Sequence, residues 1–388
     1  MIFFAFVTST HGSNIWNSYL FPYHMNFIWI IFTILTSFLF SFLSFRMELN
    51  FEPDSRNSSF SVKDPLGRTP LQVGIEVTIA VLICLACIAG NVTVVIAIHK
   101  TPRLKTVTNM LVENLAWTDI SMATLHLPFW IMSMSSGRWL LSHVACKIVG
   151  FSELVFGVAS LQTMAGIALN RYFSTVRRNL FIKYFSDRKA TLKIIIVSWV
   201  LPVVVCSPPL YGWGTIEFSE KFTDCTMGWN IPDISYISFL LSVAIVIPMV
   251  VIICCYFAIF RFVRRSSRQI QNHLQEESHR RLKNNAPSIK KETKVIKVFV
   301  AVVIVYVSCW TPVCIVGICE IIEYSAPRWV YIVVYYMMFS SSFCNPLIYG
   351  LFNPQFRNAF KKLYNKDASG NDSGELPLQR RTAFSEEQ

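Results

Sequence analysis

Long unbroken apolar stretches, separated by short polar ones, dominate the chain. After residue 70 there are seven: 73–99, 107–133, 143–170, 190–210, 234–262, 295–322 and 328–351. Each reaches the ~20 residues that a helix needs to cross a bilayer, so the pattern predicts seven membrane-spanning helices. The longest polar connection, 264–293, is rich in Arg, Lys, Gln, Ser and Asn and is expected to be a loop broken by Pro287. An eighth apolar stretch, 27–45, precedes the seven and has no Lys or Arg before it. It makes a poor secretory leader, and as a further span it would reverse everything downstream. The expectation is that translation starts at Met47 and that 1–46 is upstream sequence, with a cleaved leader as the alternative.

Lys and Arg fix the orientation. The segments after runs one, three and five, together with the tail, hold 27 of them, whereas those after runs two, four and six hold only Arg138, Lys147, Lys221 and Arg328. Cationic loops stay in the cytoplasm, so residues 47–72 are predicted outside and 365–388 form a polar, disordered cytoplasmic tail. The sequon at Asn57 falls on the predicted outside and is a candidate glycosylation site.

Composition agrees: 53% of the residues are hydrophobic, 15% are charged and the mean hydropathy is +0.45, against roughly a quarter charged in a soluble domain. The net charge of +12 would suit nucleic acid, but its distribution assigns it to lipid headgroups and protein partners instead. Nine of the eleven Cys lie inside apolar runs, as small hydrophobes do. Only Cys146, at the edge of the third run, and Cys225, in the polar loop 211–233, are placed differently. No paired C-x-x-C pattern occurs, so zinc is not expected.

Each run carries a motif, in order: Gly90-Asn91; Asn114 to Asp119; Asn170-Arg171-Tyr172; Trp199; Pro248 with Tyr256; Cys309-Trp310-Thr311-Pro312; and Asn345-Pro346-Leu347-Ile348-Tyr349. Together these resemble the rhodopsin-like (class A) G-protein-coupled receptors over about residues 73–364. The implied fold is an all-α seven-helix membrane bundle, 73–351, followed by a short amphipathic eighth helix, 352–364, with Phe352, Phe356, Phe360 and Leu363 on its apolar face. The implied activity is not enzymatic. Such a protein is a plasma-membrane receptor that passes an extracellular ligand's signal to heterotrimeric G proteins, with arrestin and receptor kinases as further partners.

The resemblance also implies roles. It joins Cys146 to Cys225. It makes Arg171 the cytoplasmic switch, held at rest by Glu292 and freed when the sixth helix swings outward. Asn170 stands where the family usually has a carboxylate, so a weaker resting lock is expected. Trp310, above the Pro312 kink, senses ligand and Tyr306 relays the shift, while Tyr256 and Tyr349 steady the active state near Arg171. Asp119 with Ser160, Ser342 and Asn345 could hold an allosteric sodium ion, or Asp119 could be protonated and satisfied by Ser and Asn.

Glu153 lies seven residues beyond Cys146, about 10 Å into the membrane. Amine receptors carry their ammonium-binding acid at that position. An intramembrane carboxylate marks a functional site, and two readings stand: a salt bridge to a cationic ligand, or a protonated acid bonded to Tyr335 or Tyr336. Opsins carry the retinal lysine at the position of Phe339, and 329–351 contain no Lys, which argues against a covalent retinal photoreceptor. The loop around Cys225 is similar to melatonin receptors and opsins, while Pro346 departs from the melatonin-receptor pattern. A transporter using Asp119, Glu153 and Glu113 is the alternative of another class.

Overall fold

The computed structural model describes residues 64–276, 282–324 and 326–364, without the side chains of 184, 267–295 and 297. The expectations for 1–46, Asn57 and the tail, and for the Glu292 side chain, lie outside the described residues. The chain runs through α1 (Pro70–Lys100), α2 (Val107–Leu125), α3 (His143–Val176), α4 (Arg188–Cys206), α5 (Ile247–Glu276), α6 (Leu282–Ile321), α7 (Arg328–Phe352) and α8 (Pro354–Tyr364). Past His126, α2 continues as the helix Leu127–Ser136. Between α4 and α5 lies a hairpin of β1 (Ile216–Ser219) and β2 (Asp224–Met227), antiparallel, with Phe218 opposite Cys225. Among the described residues six helices are long and apolar enough to cross a membrane; the second span is the one interrupted by a break.

Burial is inverted relative to a water-soluble domain. Large apolar side chains such as Leu82, Val200, Val204, Ile253 and Phe257 face outward, whereas Asn91, Asn114, Thr118, Asp119 and Asn170 are buried. In lipid every backbone and side-chain polar group has to be satisfied from within. Asn114 does this across three helices: it donates to Thr163 of α3 at 2.8 Å and Ser198 of α4 at 3.1 Å, and accepts from Trp199 Nε1 at 2.9 Å.

Prolines set the irregularities, because each lacks the N–H that a carbonyl four residues earlier needs. Pro346 sits inside α7 and leaves the Ser342 carbonyl without its helical donor. Asn91 supplies one instead, Nδ2 to Ser342 O at 3.0 Å. Its neighbour Gly90 lets the two helices touch, since a Cβ there would stand 3.0 Å from Pro346 Cγ. Just before Pro248 the chain opens into a π-helical stretch, Leu241–Val246. Just before Pro128, α2 breaks at His126.

The segment 264–293 differs from the expected loop: α5 continues to Glu276 and α6 starts at Leu282, passing through Pro287. Its Arg, Lys, Gln and Glu residues are good helix formers. Pro287, the sixth residue of α6, removes the hydrogen bond to the carbonyl four residues earlier.

The buried side chains form two clusters. One, toward the hairpin, includes Trp130, Phe222, Tyr335 and Phe339. The other, toward α8, includes Leu111, Leu161, Phe299, Tyr349 and Phe356. Trp310 packs against both. Asn91→Ala should strand the Ser342 carbonyl and cost about 1–3 kcal/mol, read as a lower melting temperature of the purified protein; an unchanged value would contradict that role.

Candidate functional site

The hairpin and α3 are joined. A disulfide links Cys146 to Cys225, 79 residues apart. Gly150, one turn below Cys146, allows the hairpin to lie against the helix: a Cβ there would stand 2.5 Å from Ile216 Cγ2 and 2.7 Å from the Cys225 carbonyl. Gly157 recurs seven residues on, on the same face, and its notch receives Trp310 of α6, whose Cη2 would lie 2.3 Å from an added Cβ. Glu153 lies between the two notches.

Glu153 is 4% exposed and meets two residues that the sequence did not single out, His126 and Asp224, both fully buried. One nitrogen or oxygen from each of the three lies within 4.8 Å of the others. The break before Pro128 turns His126 inward, with Nδ1 3.2 Å from the Val149 carbonyl and Nε2 3.0 Å from Asp224 Oδ2. Asp224 Oδ1 accepts from the Cys225 N–H at 2.8 Å. Oε2 of Glu153 has no hydrogen-bond partner among the described residues. Thr226 lies beside both Glu153 and Tyr335. Burial raises the Asp224 carboxyl above its ordinary range, opposed by the adjacent His126.

The remaining expected residues divide by level. Phe339 forms an aromatic floor beneath the acids, with ring centroids 4.7 Å from Trp130, 5.5 Å from His126 and 5.6 Å from Tyr335. Tyr336 points to α1 instead, donating to the Glu76 carbonyl at 2.8 Å. Tyr335, not Tyr336, is therefore the α7 tyrosine beside Glu153. Trp310 donates to Ser341 Oγ at 3.2 Å and stacks on Tyr306 at 5.3 Å. Tyr306 in turn donates to the Gly157 carbonyl at 3.0 Å, so the two aromatics hold α6, around Pro312, against α3.

In the middle of the bundle Asp119 Oδ2 accepts from Asn345 Nδ2 at 2.9 Å, with Ser342 close to the carboxyl. Ser160 donates to Thr118 instead, at 2.9 Å. In this arrangement Asp119 accepts from Asn345, and Ser160 and Asn345 would have to reorient for the four residues to present a set of oxygens to a sodium ion.

At the α8 end of the bundle the Arg171 guanidinium lies 5.0 Å over the Phe299 ring of α6. Asn170 is fully buried and its Oδ1 accepts from Thr108 of α2 at 2.7 Å. It therefore ties α3 to α2. The Tyr172 ring packs against Phe173, with centroids 5.2 Å apart. The buried hydroxyls of Tyr256 and Tyr349 have no hydrogen-bond partner among the described residues.

A second polar cluster, one that the sequence does not single out, gathers around Arg68. Arg68, ahead of α1, bonds Asp64 at 2.8 Å, Glu76 at 2.9 Å and the Met134 carbonyl at 2.7 Å. Arg328 of α7 reaches the same Glu76 at 3.0 Å. This ties the segment before α1 to the end of the second span and, through Glu76, to α7. Charge pairing gave a signal for it, but Arg68 and Glu76 are eight residues apart and only the folded chain brings Arg328 beside them.

Residues 90–349 match the sequence profile of the family described as 7 transmembrane receptor (rhodopsin family). The chain belongs to that family. It is 31% identical to melanopsin of Branchiostoma belcheri over 289 residues, 72% of this chain and 41% of that protein. It is 26% identical to melatonin receptor type 1A of Gallus gallus over 304 residues, 76% of this chain and 82% of that receptor. The match spans about half the length of the melanopsins, as with melanopsin-A of Danio rerio at 46%. The crystal structure of squid rhodopsin superposes with a TM-score of 0.68 at 22% identity, over 78% of this chain and 88% of that one, and so shares the fold. The chain is thus a class A, rhodopsin-like receptor, a multi-pass membrane protein and not an enzyme.

The Arg68 guanidinium holds the Asp64 carboxyl below its ordinary value of 3.8. A lowered carboxyl stabilises the fold above its unfolded pKa, and that contribution is lost as pH falls through the folded value. Wild type should therefore melt above Asp64→Asn at neutral pH, and the gap should close as pH drops below the ordinary value of 3.8. A gap that persists in stronger acid would contradict the assignment.

Proposed function

We propose that this receptor lies in the plasma membrane with its N-terminus outside and couples a small extracellular cation to heterotrimeric G proteins by outward movement of α6. The observation that carries the reading is the seat of Trp310 in the Gly157 notch. Trp310 touches both buried clusters, so a ligand that moves it disturbs the extracellular and cytoplasmic halves together. The Tyr306–Gly157 hydrogen bond is the contact that α6 must give up. Ligand then acts by differential affinity for the open state, a population shift.

The cationic character rests on Glu153. Its unpartnered oxygen, with Asp224 close by, gives the site two buried carboxylates around one imidazole. A protonated amine would supply the positive charge that such a pair lacks. Phe339 offers no amine for a Schiff base with retinal, although several relatives are opsins. An opsin relative that binds no retinal and signals at rest is the second reading, and Asn170 favours it. With its carbonyl oxygen bonded to Thr108, Asn170 gives Arg171 no anionic partner. On either reading, outward movement of α6 takes Phe299 from Arg171 and opens the cytoplasmic mouth to the G protein. Phosphorylation of the tail by receptor kinases would then recruit arrestin.

G-protein nucleotide exchange in cells expressing residues 47–388, measured over a panel of biogenic amines and indoles, tests this. Arg171→Ala should reduce exchange to background, and Glu153→Gln should abolish the response to an active amine while sparing basal exchange. Asn170→Asp should lower basal exchange severalfold. Full signalling by Arg171→Ala would sink the proposal; an amine response intact in Glu153→Gln would remove the cation anchor alone.

A further inference from the structure

We infer that His126, Glu153 and Asp224 form a binding site for a divalent transition-metal ion of the zinc type, which would fasten the extracellular hairpin to the second and third spans. The inference rests on the reading of Glu153 as a cation acceptor and does not depend on the α6 switch.

The ligand chemistry comes from the hydrogen bonds. A carbonyl can only accept, so the contact to Val149 puts a proton on His126 Nδ1. Its other nitrogen, Nε2, faces a carboxylate oxygen of Asp224 at 3.0 Å. With the ring neutral, both atoms are acceptors, and the place that a proton otherwise takes between them is open to a metal ion. Both ligands are oriented by outer partners of the kind that metal sites use: the Val149 carbonyl holds the imidazole and the Cys225 N–H holds Asp224 Oδ1, leaving Oδ2 toward the centre. Glu153 supplies a third ligand whose Oε2 has no partner among the described residues. A neutral imidazole and two carboxylates match the charge of a divalent ion, and three protein ligands with one open position suit zinc.

The cluster needs only a small adjustment. Ligands ~2.1 Å from a tetrahedral centre stand ~3.4 Å apart, and the three donor atoms already lie within 4.8 Å of one another. Glu153, with its spare oxygen, is the one that would swing in. The expected absence of zinc concerned cysteine patterns, whereas this site uses none and joins residues 98 positions apart in sequence.

The test uses the full chain in lipid nanodiscs, its thiols blocked by alkylation because nine cysteines are free. Zinc chloride is titrated against a chromophoric chelator. One equivalent should bind wild type and raise its melting temperature. Affinity should fall at least about tenfold in each of His126→Gln, Glu153→Gln and Asp224→Asn, and magnesium should not compete. X-ray absorption on zinc-loaded wild type provides a reading that needs no variant: the expected shell holds one imidazole nitrogen and carboxylate oxygens. Equal zinc affinity in wild type and all three variants, or a shell lacking imidazole, would overturn the inference. No zinc binding alongside an amine response lost in Glu153→Gln would overturn the metal site and leave the cation-acceptor reading standing.

Discussion

A bilayer offers no hydrogen bonds, and this structure depends on how each interrupted backbone or buried polar group is answered from another helix. Where a proline removes a donor, a buried polar side chain or a helix irregularity stands nearby. Pro346 frees the Ser342 carbonyl, and Asn91 answers it from α1, binding the first and seventh spans. Asp119 is answered by Asn345, next to that same proline. Pro128 ends α2 at His126 and so delivers an imidazole to Glu153 and Asp224. Pro248 follows the π-helical stretch that precedes α5.

The hairpin adds a second element. Held to α3 by Cys146–Cys225 and fitted against Gly150, it places Asp224 over the second span and Lys221 against Glu320 of α6. It therefore touches both the acid cluster and the helix proposed to move. Below it, the face of α3 that carries Gly150, Glu153 and Gly157 sets the hairpin, the acid and the Trp310 seat in vertical order. In the proposed mechanism that order links an event outside the membrane to one inside.

Much of this was legible in the sequence, and for a physical reason. Spanning helices need continuous apolar runs and cationic cytoplasmic ends, both local features, so the seven spans and their motifs could be read directly. Glu153 stood out because a carboxylate in such a run is costly. The disulfide and the place of Trp310 followed from the family resemblance. Partners were harder. His126 looked like one polar residue at a break, and Asp224 like one acid in a loop, and only the hairpin's seat on α3 brings them together. Gly150 and Gly157 gave a signal, two small residues one heptad apart around Glu153, but small residues mark contacts without saying what fills them. The charge of 264–293 reads as a loop, whereas helix propensity prevails in its described residues, up to Glu276 and from Leu282 on.

The most direct measurement of the central claim, that Trp310 in the Gly157 notch holds α6 against α3, is the distance between the cytoplasmic ends of those helices. Spin labels at positions 177 and 290 in wild type and Gly157→Ala, on a background without reactive native thiols, would report it by pulsed electron resonance. The added methyl must displace Trp310, whose nearest atom it would meet at 2.3 Å. The account expects Gly157→Ala to gain a population at longer distance without ligand. Superimposable distance distributions in a folded Gly157→Ala protein would contradict it.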